Sequence, residues 1–530
     1  MIVKRNRTLI APILALLTLS LAVTAWADRS DRGSHRDAWG PRYNAPPKLH
    51  EPPRHHRTRR GAEVTSRLRH WNEIAIDASG LDHTPVAPGE NRVFGEQLGP
   101  GRASRAMAIV HIAIFDAVNA IAGDYQSYTD LRGAPDDTSM NAAIAQAAHD
   151  TLSVLFPSQK ASLDDLLAED LNEIRDGRTK ANGIVLGRRA AAAILALRAK
   201  DGSQHDEPHV GIEYITSNQP GRWRQDPISQ IPLALGAFWG KVRPFVLKSA
   251  DQFRTPPPPA LNSPEYTAAF EEVKRLGGCG NDPTDCVGGT PTHTERTLEQ
   301  TEIGIYWAYD GTPALCAPPR LYNQIAMEIA DQMGSDAVER SRLLALVNVA
   351  MADAAIAVWE SKYFYDYWRP VAGIREADEG TGPTGAGDGN PMTVGNPTFS
   401  PLGAPASNLN GPNFTPPFPA YPSGHAGIGG ALFGTLRNFY RTDRIAFTFV
   451  SDEFNGVTRD NNGNVRPLVS RSFSSLSKAE EENGQSRIYL GIHWAFDKTE
   501  GIAQGRRVAD YVFKNAFVPL HDRRHDRKER

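Results

Sequence analysis

The stretch that most limits what this chain can fold into is residues 336–368, which read as one long helix. Two shorter helices are expected just before it, over 299–309 and 320–333. The same pattern runs through the N-terminal half. Residues 102–121 place Met107, Val110, Ile114, Val118 and Ile121 at helical spacing, and 141–156 continue in the same way. Residues 184–199 are rich in Ala and Leu and are followed by Gly202. Ser162-Leu-Asp-Asp165 reads as a capping box, and Ser263-Pro264 as the cap of a helix that closes at Gly277. His111 and His149 lie on core helices and are read as core histidines rather than ligands. A mainly α protein is expected.

The N-terminus has the layout of a secretory signal peptide over residues 1–27. Lys4, Arg5 and Arg7 precede an apolar run, and Ala25-Trp26-Ala27 is a small-x-small cleavage site. Residues 28–70 are rich in Arg, His, Pro and Gly and read as a disordered basic leader, with His50, His55 and His56 in a solvated tail. The folded part is expected to open at Trp71, with an N-terminal helical half over 71–290, a C-terminal helical half over 291–515 and a charged tail over 516–530. The formal charge of −3 becomes −6 once the three basic residues of the leader are removed (−3 − 3), which does not suggest nucleic acid. No segment after the leader offers eighteen uninterrupted apolar residues. Of the three cysteines, Cys279 and Cys286 could close a small loop in an oxidising compartment, leaving Cys316 over; no second close Cys/His pair suggests zinc.

Cations and histidines gather between residues 362 and 497. Lys362 and Arg369 lie seven apart, which would put both on one face of the long helix, with Pro370 ending it. Ser423-Gly424-His425 precedes a small-residue run, so the turn should sit at a helix N-terminus that favours an anion. His493 and Asp497 are four apart, one helical face, with Arg487 two turns before. Three fixed cations, two histidines and a Ser-Gly turn suit a tetrahedral oxyanion. Residues 371–421, full of Gly, Pro and Asn, read as a loop walling the mouth of that site. Gly427-Ile-Gly-Gly430 reads as small residues for close helix packing, and 454–485 as an irregular or partly helical connection.

Lys362-x6-Arg369-Pro370, Pro422-Ser-Gly-His425 and Ser486-Arg487-x3-Gly491-x-His493 together resemble the signature of the vanadium-dependent haloperoxidases and of the type-2 phosphatidic acid phosphatase and bacterial acid phosphatase superfamily. The stretches at 306–311, 318–324, 414–426 and 451–460 resemble the vanadium chloroperoxidases in particular. With the helix count, the resemblance implies two helical bundles, each of four helices, with long irregular loops. It implies a secreted haloperoxidase that holds vanadate and oxidises chloride or bromide with hydrogen peroxide, the hypohalous acid passing to a small organic acceptor. His493 is then the vanadium ligand, and Lys362, Arg369, Arg487, Ser423 and Gly424 hold the oxygens. His425 is the acid–base group, and Lys362 also polarises an oxygen. Asp310 pairs with Arg487, and Asp497 orients His493. Trp359 and Phe418 form the halide pocket. Two other functions stay open: an acid phosphatase with His493 as nucleophile, and an exported oxyanion-binding protein without turnover. The sequence leaves the oligomeric state open.

Overall fold

The computed structural model describes residues 35–43, 64–282, 286 and 290–520. The signal peptide expected over 1–27, the three histidines at 50, 55 and 56, and the tail beyond 520 lie outside them. Among the described residues the protein has fourteen α-helices and one two-stranded sheet, so it is mainly α.

The first bundle is built from α2 (Val64–Asp82), α3 (Gly99–Ala122), α4 (Met140–Leu155) and α6 (Arg178–Arg198), with α5 (Lys160–Asn172) beside them. Trp71, Val110, Ile114, Ala147 and Ile194 share its core. Helix α6 lies close on α4 because Gly183 and Gly187 meet the Ser139 and Ala143 carbonyls, where a Cβ would come within 2.4 and 2.6 Å. His111 is buried here, Nε2 to the Asn72 side chain at 3.1 Å.

The second bundle contains α9 (Pro318–Gln332), α10 (Ala337–Tyr365), α12 (Gly424–Tyr440), α13 (Leu476–Tyr489) and α14 (Ala495–Asn515). Helix α10 packs on α3 as well as on α12 and α14, so it joins the two bundles. That position explains why it is buried on nearly every side. Helices α3 and α10 are long and apolar enough to cross a membrane, yet 89% and 94% of their most apolar windows are buried in this fold. Gly427 and Gly430 face α14, and a Cβ on the opposing Gly505 would stand 2.0 Å from the Gly427 carbonyl. The small residues of α12 therefore serve close helix packing, as expected.

Four expectations need correction. The folded part opens before Trp71: α2 starts at Val64, and a short helix α1 (His35–Trp39) precedes it. Trp39 and Tyr43 are buried beside Leu233 and Phe414, two aromatic anchors in a segment whose composition otherwise hides them. Helix α5 starts at Lys160, because a 3-10 turn over Pro157–Gln159 leads straight into it, so Ser162 is inside the helix and not its cap. Residues 447–473 hold a β-hairpin, β1 (Phe447–Asn455) and β2 (Leu468–Phe473), paired antiparallel with Phe447 opposite Phe473. Its only inward alternation is short, and the register breaks between Val450 and Asn455. Finally, the helix carrying Lys362 stops at Tyr365, where Asp366 takes a left-handed φ of 52° as its C-cap. Elsewhere the cysteines follow the sequence: Cys279 and Cys286 are disulfide-bonded, and Cys316 is buried and unbridged.

Candidate active site

Lys362 and Arg369 reach the site from two elements. Lys362 is in the last turn of α10, buried, and its Nζ donates to the Pro419 and Ala420 carbonyls at 2.8 and 2.9 Å. Arg369 is the N-cap of α11 (Pro370–Arg375) and not part of α10. Pro370 starts a helix here, since a missing N–H costs nothing at the first helical position. The Arg369 guanidinium donates from Nε to the Phe418 carbonyl and from Nη1 to the Ile492 carbonyl, both at 2.8 Å. Its Nη1 also lies 3.1 Å from His493 Nε2.

The Ser-Gly turn stands where the sequence places it. Ser423 is the N-cap of α12, its Oγ accepting from the Ala426 N–H at 3.4 Å. A Cβ on Gly424 would press 3.1 Å against the Trp359 ring, so a larger residue would need that ring to give by a few tenths of an ångström. Arg487, in α13, donates from Nη2 to both oxygens of Asp310 at 2.7 and 2.8 Å.

His493 is not on a helix with Asp497. The chain turns at Gly491, with φ 72°, and α14 begins only at Ala495. Asp497 occupies the first turn, where its Oδ2 accepts from the Trp494 N–H at 3.0 Å and from His493 Nδ1 at 2.8 Å. The spacing of four thus joins the two residues through a capping geometry instead of a shared helical face. With Nδ1–H given to the carboxylate, His493 Nε2 is left without a proton.

The sequence-predicted residues come together at one place. Gly424, His425, Arg487, His493 and Asp310 line a single cavity with Trp359 and Phe418. Lys362 and Arg369 stand behind Phe418, Lys362 Nζ 5.1 Å and Arg369 Cζ 4.8 Å from its ring centre. Trp359 and Phe418 are 5.1 Å apart, ring centre to ring centre.

Charge in this pocket is unbalanced: among the described residues, the three cations Lys362, Arg369 and Arg487 face the two carboxylates Asp310 and Asp497. Burial, reinforced by the neighbouring cations, holds Lys362, His425 and His493 well below their ordinary values. Arg369 is pushed down to about 9 by burial, with Arg487 adding to it. Burial pushes Asp497 up to about 7 and raises Asp310, against the pull of nearby cations. Three buried guanidinium nitrogens, Arg369 Nη2 and Arg487 Nε and Nη1, have no acceptor among the described residues. Buried charged donors left without an acceptor are costly. A tetrahedral oxyanion would give all three an acceptor beside His493 Nε2, whose present partner is Arg369 Nη1, and the donor set therefore fits vanadate or phosphate. Among the described residues no group of three or more His, Cys, Asp or Glu is placed to hold a bare metal cation.

Several supporting residues escaped the sequence. His425 Nε2 is bonded to the Ala308 carbonyl, which leaves Nδ1 as the acceptor. The carbonyl of His425 accepts from Tyr322 OH at 3.0 Å and Asn483 Nδ2 at 3.1 Å, tying the first turn of α12 to α9 and α13. The hairpin holds the loop that bears Asp310: Ser451 Oγ donates to the Tyr306 carbonyl, and the Asp452 N–H to Tyr309 OH. The motifs at 306–311, 318–324 and 451–460 are thus layers behind one site, a role that periodicity cannot show. Nor did the sequence show that Trp39, His83, Leu233 and Leu235, from the N-terminal half, line the same cavity.

Gly429 is explained by the same clamp, because a Cβ there would stand 2.4 Å from Asn483 Nδ2. Gly429→Ala is expected to expel that amide and cost about 2 kcal/mol of stability, and Tyr322→Phe about 1 kcal/mol. Urea unfolding of both variants measures this, and an unchanged Gly429→Ala midpoint would remove the clamp.

Comparison with known proteins points the same way. Residues 342–521 match the model of the VCPO second helical-bundle domain. A curated vanadium chloroperoxidase from Curvularia inaequalis is 28% identical over 526 residues, covering 85% of this chain and 81% of its own. Among solved structures, the first bacterial vanadium-dependent iodoperoxidase superposes with a TM-score of 0.65 at 23% identity, over 87% of this chain and 98% of its own. A holo-type bacterial vanadium-dependent chloroperoxidase superposes with a TM-score of 0.55 at 16% identity, over 81% and 95%. Residues 342–521 are thus similar to the VCPO second helical-bundle domain, and most of the chain is similar to a vanadium chloroperoxidase.

Proposed function

We propose that the protein is a vanadate-dependent haloperoxidase that oxidises chloride or bromide with hydrogen peroxide to hypohalous acid. The observation that carries this is the set of three acceptor-less guanidinium nitrogens on Arg369 and Arg487, with Arg369 Nη1 3.1 Å from His493 Nε2 and Arg487 and His493 lining one cavity. His493 Nε2 would hold the vanadium, and Lys362, Arg369, Arg487, Ser423 and the Gly424 N–H its oxygens. Bound vanadate supplies Lewis-acid activation of peroxide towards halide. The chain does the rest. Arg487 is fixed by Asp310, and Arg369 by two backbone carbonyls. His425, with Nε2 spent on Ala308, has Nδ1 left to take up or give a proton, and burial with the nearby cations keeps the ring neutral at rest. Trp359 and Phe418 keep water from the halide side. The Cys279–Cys286 disulfide supports an exported protein, in keeping with the signal-like N-terminus.

The bare Nε2 equally suits attack on phosphorus, so phosphoester hydrolysis is the second function to test. The test is to add vanadate to the purified apoprotein and assay bromination and phosphate-ester hydrolysis side by side. Ester hydrolysis without vanadate-dependent bromination would overturn the haloperoxidase proposal. Because one cradle serves both anions, phosphate is also expected to slow activation by vanadate. Activation at the same rate with and without phosphate would mean that the two do not share this site.

A further inference from the structure

A second, smaller cavity lies behind one wall of the main one. Pro416 and Pro417 line both, so the two share that wall. Its volume is about 10 Å³, room for one water-sized body and too little for a tetrahedral oxyanion. Ile231, Val371 and Ala372 make part of its lining apolar. Arg224, Arg369 and Thr415 also line it, and each brings a buried side-chain atom without a hydrogen-bond partner among the described residues: Arg224 Nη1, Arg369 Nη2 and Thr415 Oγ1. Arg369 and Thr415 are each 2% exposed. A donor buried without an acceptor is costly, and three around one small space point to an occupant that accepts hydrogen bonds.

Water fits this space by size but less well by chemistry, because it has two hydrogens of its own to place. Acceptors in the walls are already engaged. The Pro416 carbonyl accepts from the Phe418 N–H at 2.9 Å, and the Pro417 carbonyl from the Leu235 N–H at 3.0 Å. Asp226 Oδ1 accepts from the Ile228 N–H at 2.7 Å, and its Oδ2 from the Ser229 hydroxyl at 2.9 Å. A halide ion has no hydrogen to place and can take all three donors. Charge favours it too. Arg224 has its counter-ion in Glu376. Arg369 makes no ion pair among the described residues: its Nε and Nη1 go to the Phe418 and Ile492 carbonyls and to His493. An anion beside Nη2 would be the missing partner. That nitrogen carries two hydrogens, so a bond here leaves one for the cradle.

We propose that this cavity binds a single halide ion, chloride or bromide, held by Arg224 Nη1, Arg369 Nη2 and Thr415 Oγ1. The ion is a fixed counter-charge to Arg369 and not a reactant, since Pro416 and Pro417 stand between it and the cavity that His425 and His493 line. Halide binding here does not depend on which reaction the cradle performs.

The test uses the vanadate-free full chain and sodium bromide, whose bromine is located by anomalous X-ray scattering. Crystals soaked in bromide are expected to show an anomalous peak between Arg224 Nη1, Arg369 Nη2 and Thr415 Oγ1. Thr415→Val keeps the shape of the side chain and removes one donor, so it should need about tenfold more bromide for the same peak. Arg224→Gln is expected to lose the peak. If that variant fails to fold without its bond to Glu376, Thr415→Val carries the comparison. In solution, bromide should raise the melting temperature of wild type over sodium gluconate at equal ionic strength, and raise it less in both variants. A water in the cavity and no anomalous peak overturns the proposal. Equal peaks in wild type and variants also overturn it, because the named donors would not make the site. A peak in the crystal with no bromide effect on melting, or with the same effect in wild type and variants, means an adventitious ion only and overturns it as well.

Discussion

His493→Ala is expected to abolish vanadate-dependent halide oxidation, by at least about a thousandfold, while the protein stays folded. The imidazole is a neutral donor in a pocket of fixed cations. Its Nδ1–H is committed to Asp497, and its Nε2 lies 3.1 Å from Arg369 Nη1. Removing it deletes the ligand but leaves Lys362, Arg369 and Arg487 in place, so phosphate binding should weaken far less than activity does. Asp497 keeps the Trp494 N–H as a partner, which limits the structural damage. Asp497→Asn should be milder, about 10- to 100-fold, because it keeps the ring and disturbs its orientation and tautomer while removing one carboxylate that faces Lys362 and Arg369. The measurements are bromination rates after vanadate addition, thermal melting, and phosphate titration of both variants. Normal bromination by a folded His493→Ala protein would remove His493 from the centre.

Much of this site was legible in the chain because its chemistry is carried by rare residue types at short spacing. Lys362, Arg369, Ser423, Gly424, His425, Arg487 and His493 do converge. What spacing could not give was the path of the backbone between them. A separation of seven fits two turns of helix, yet Asp366 takes a left-handed φ and Arg369 caps another helix. A separation of four fits one helical face, yet Gly491 turns the chain and Asp497 meets His493 from the first turn of α14. In both cases a local cap overrides periodicity and still brings the same side chains together. The long core helices were readable from their apolar spacing. The hairpin and the strap at Trp39 were not, since their burial comes from distant partners such as Phe414, Leu233 and Tyr306.

Phe418→His is expected to reduce chloride oxidation more than bromide oxidation, lowering the ratio of the two rates by about tenfold. Chloride gives up electrons less readily than bromide, so it depends more on an undiluted positive field at the activated oxygen. Phe418 is expected to screen that field from water: Lys362 Nζ and Arg369 Cζ stand 5.1 and 4.8 Å from its ring centre, and the Trp359 ring lies 5.1 Å away. In such a dry setting each charge counts for several times its effect in water. An imidazole in the same place would bring a polar ring and its hydration. Its own titration can be placed by sign. Two cations within about 5 Å disfavour a third, so the new imidazole should hold its proton only below its ordinary value of about 6.5. Near neutral pH it is then a neutral polar group, and the chloride deficit comes from hydration alone. On acidification it gains a charge that repels Lys362 and Arg369 but attracts halide, so the ratio should change again in the acid range and not around neutrality. Chlorination and bromination rates of wild type and Phe418→His, compared from acid to neutral pH, measure this. An unchanged ratio across that range would leave Phe418 as packing between Trp359 and the two cations, and the halide would have to be held elsewhere in the cavity.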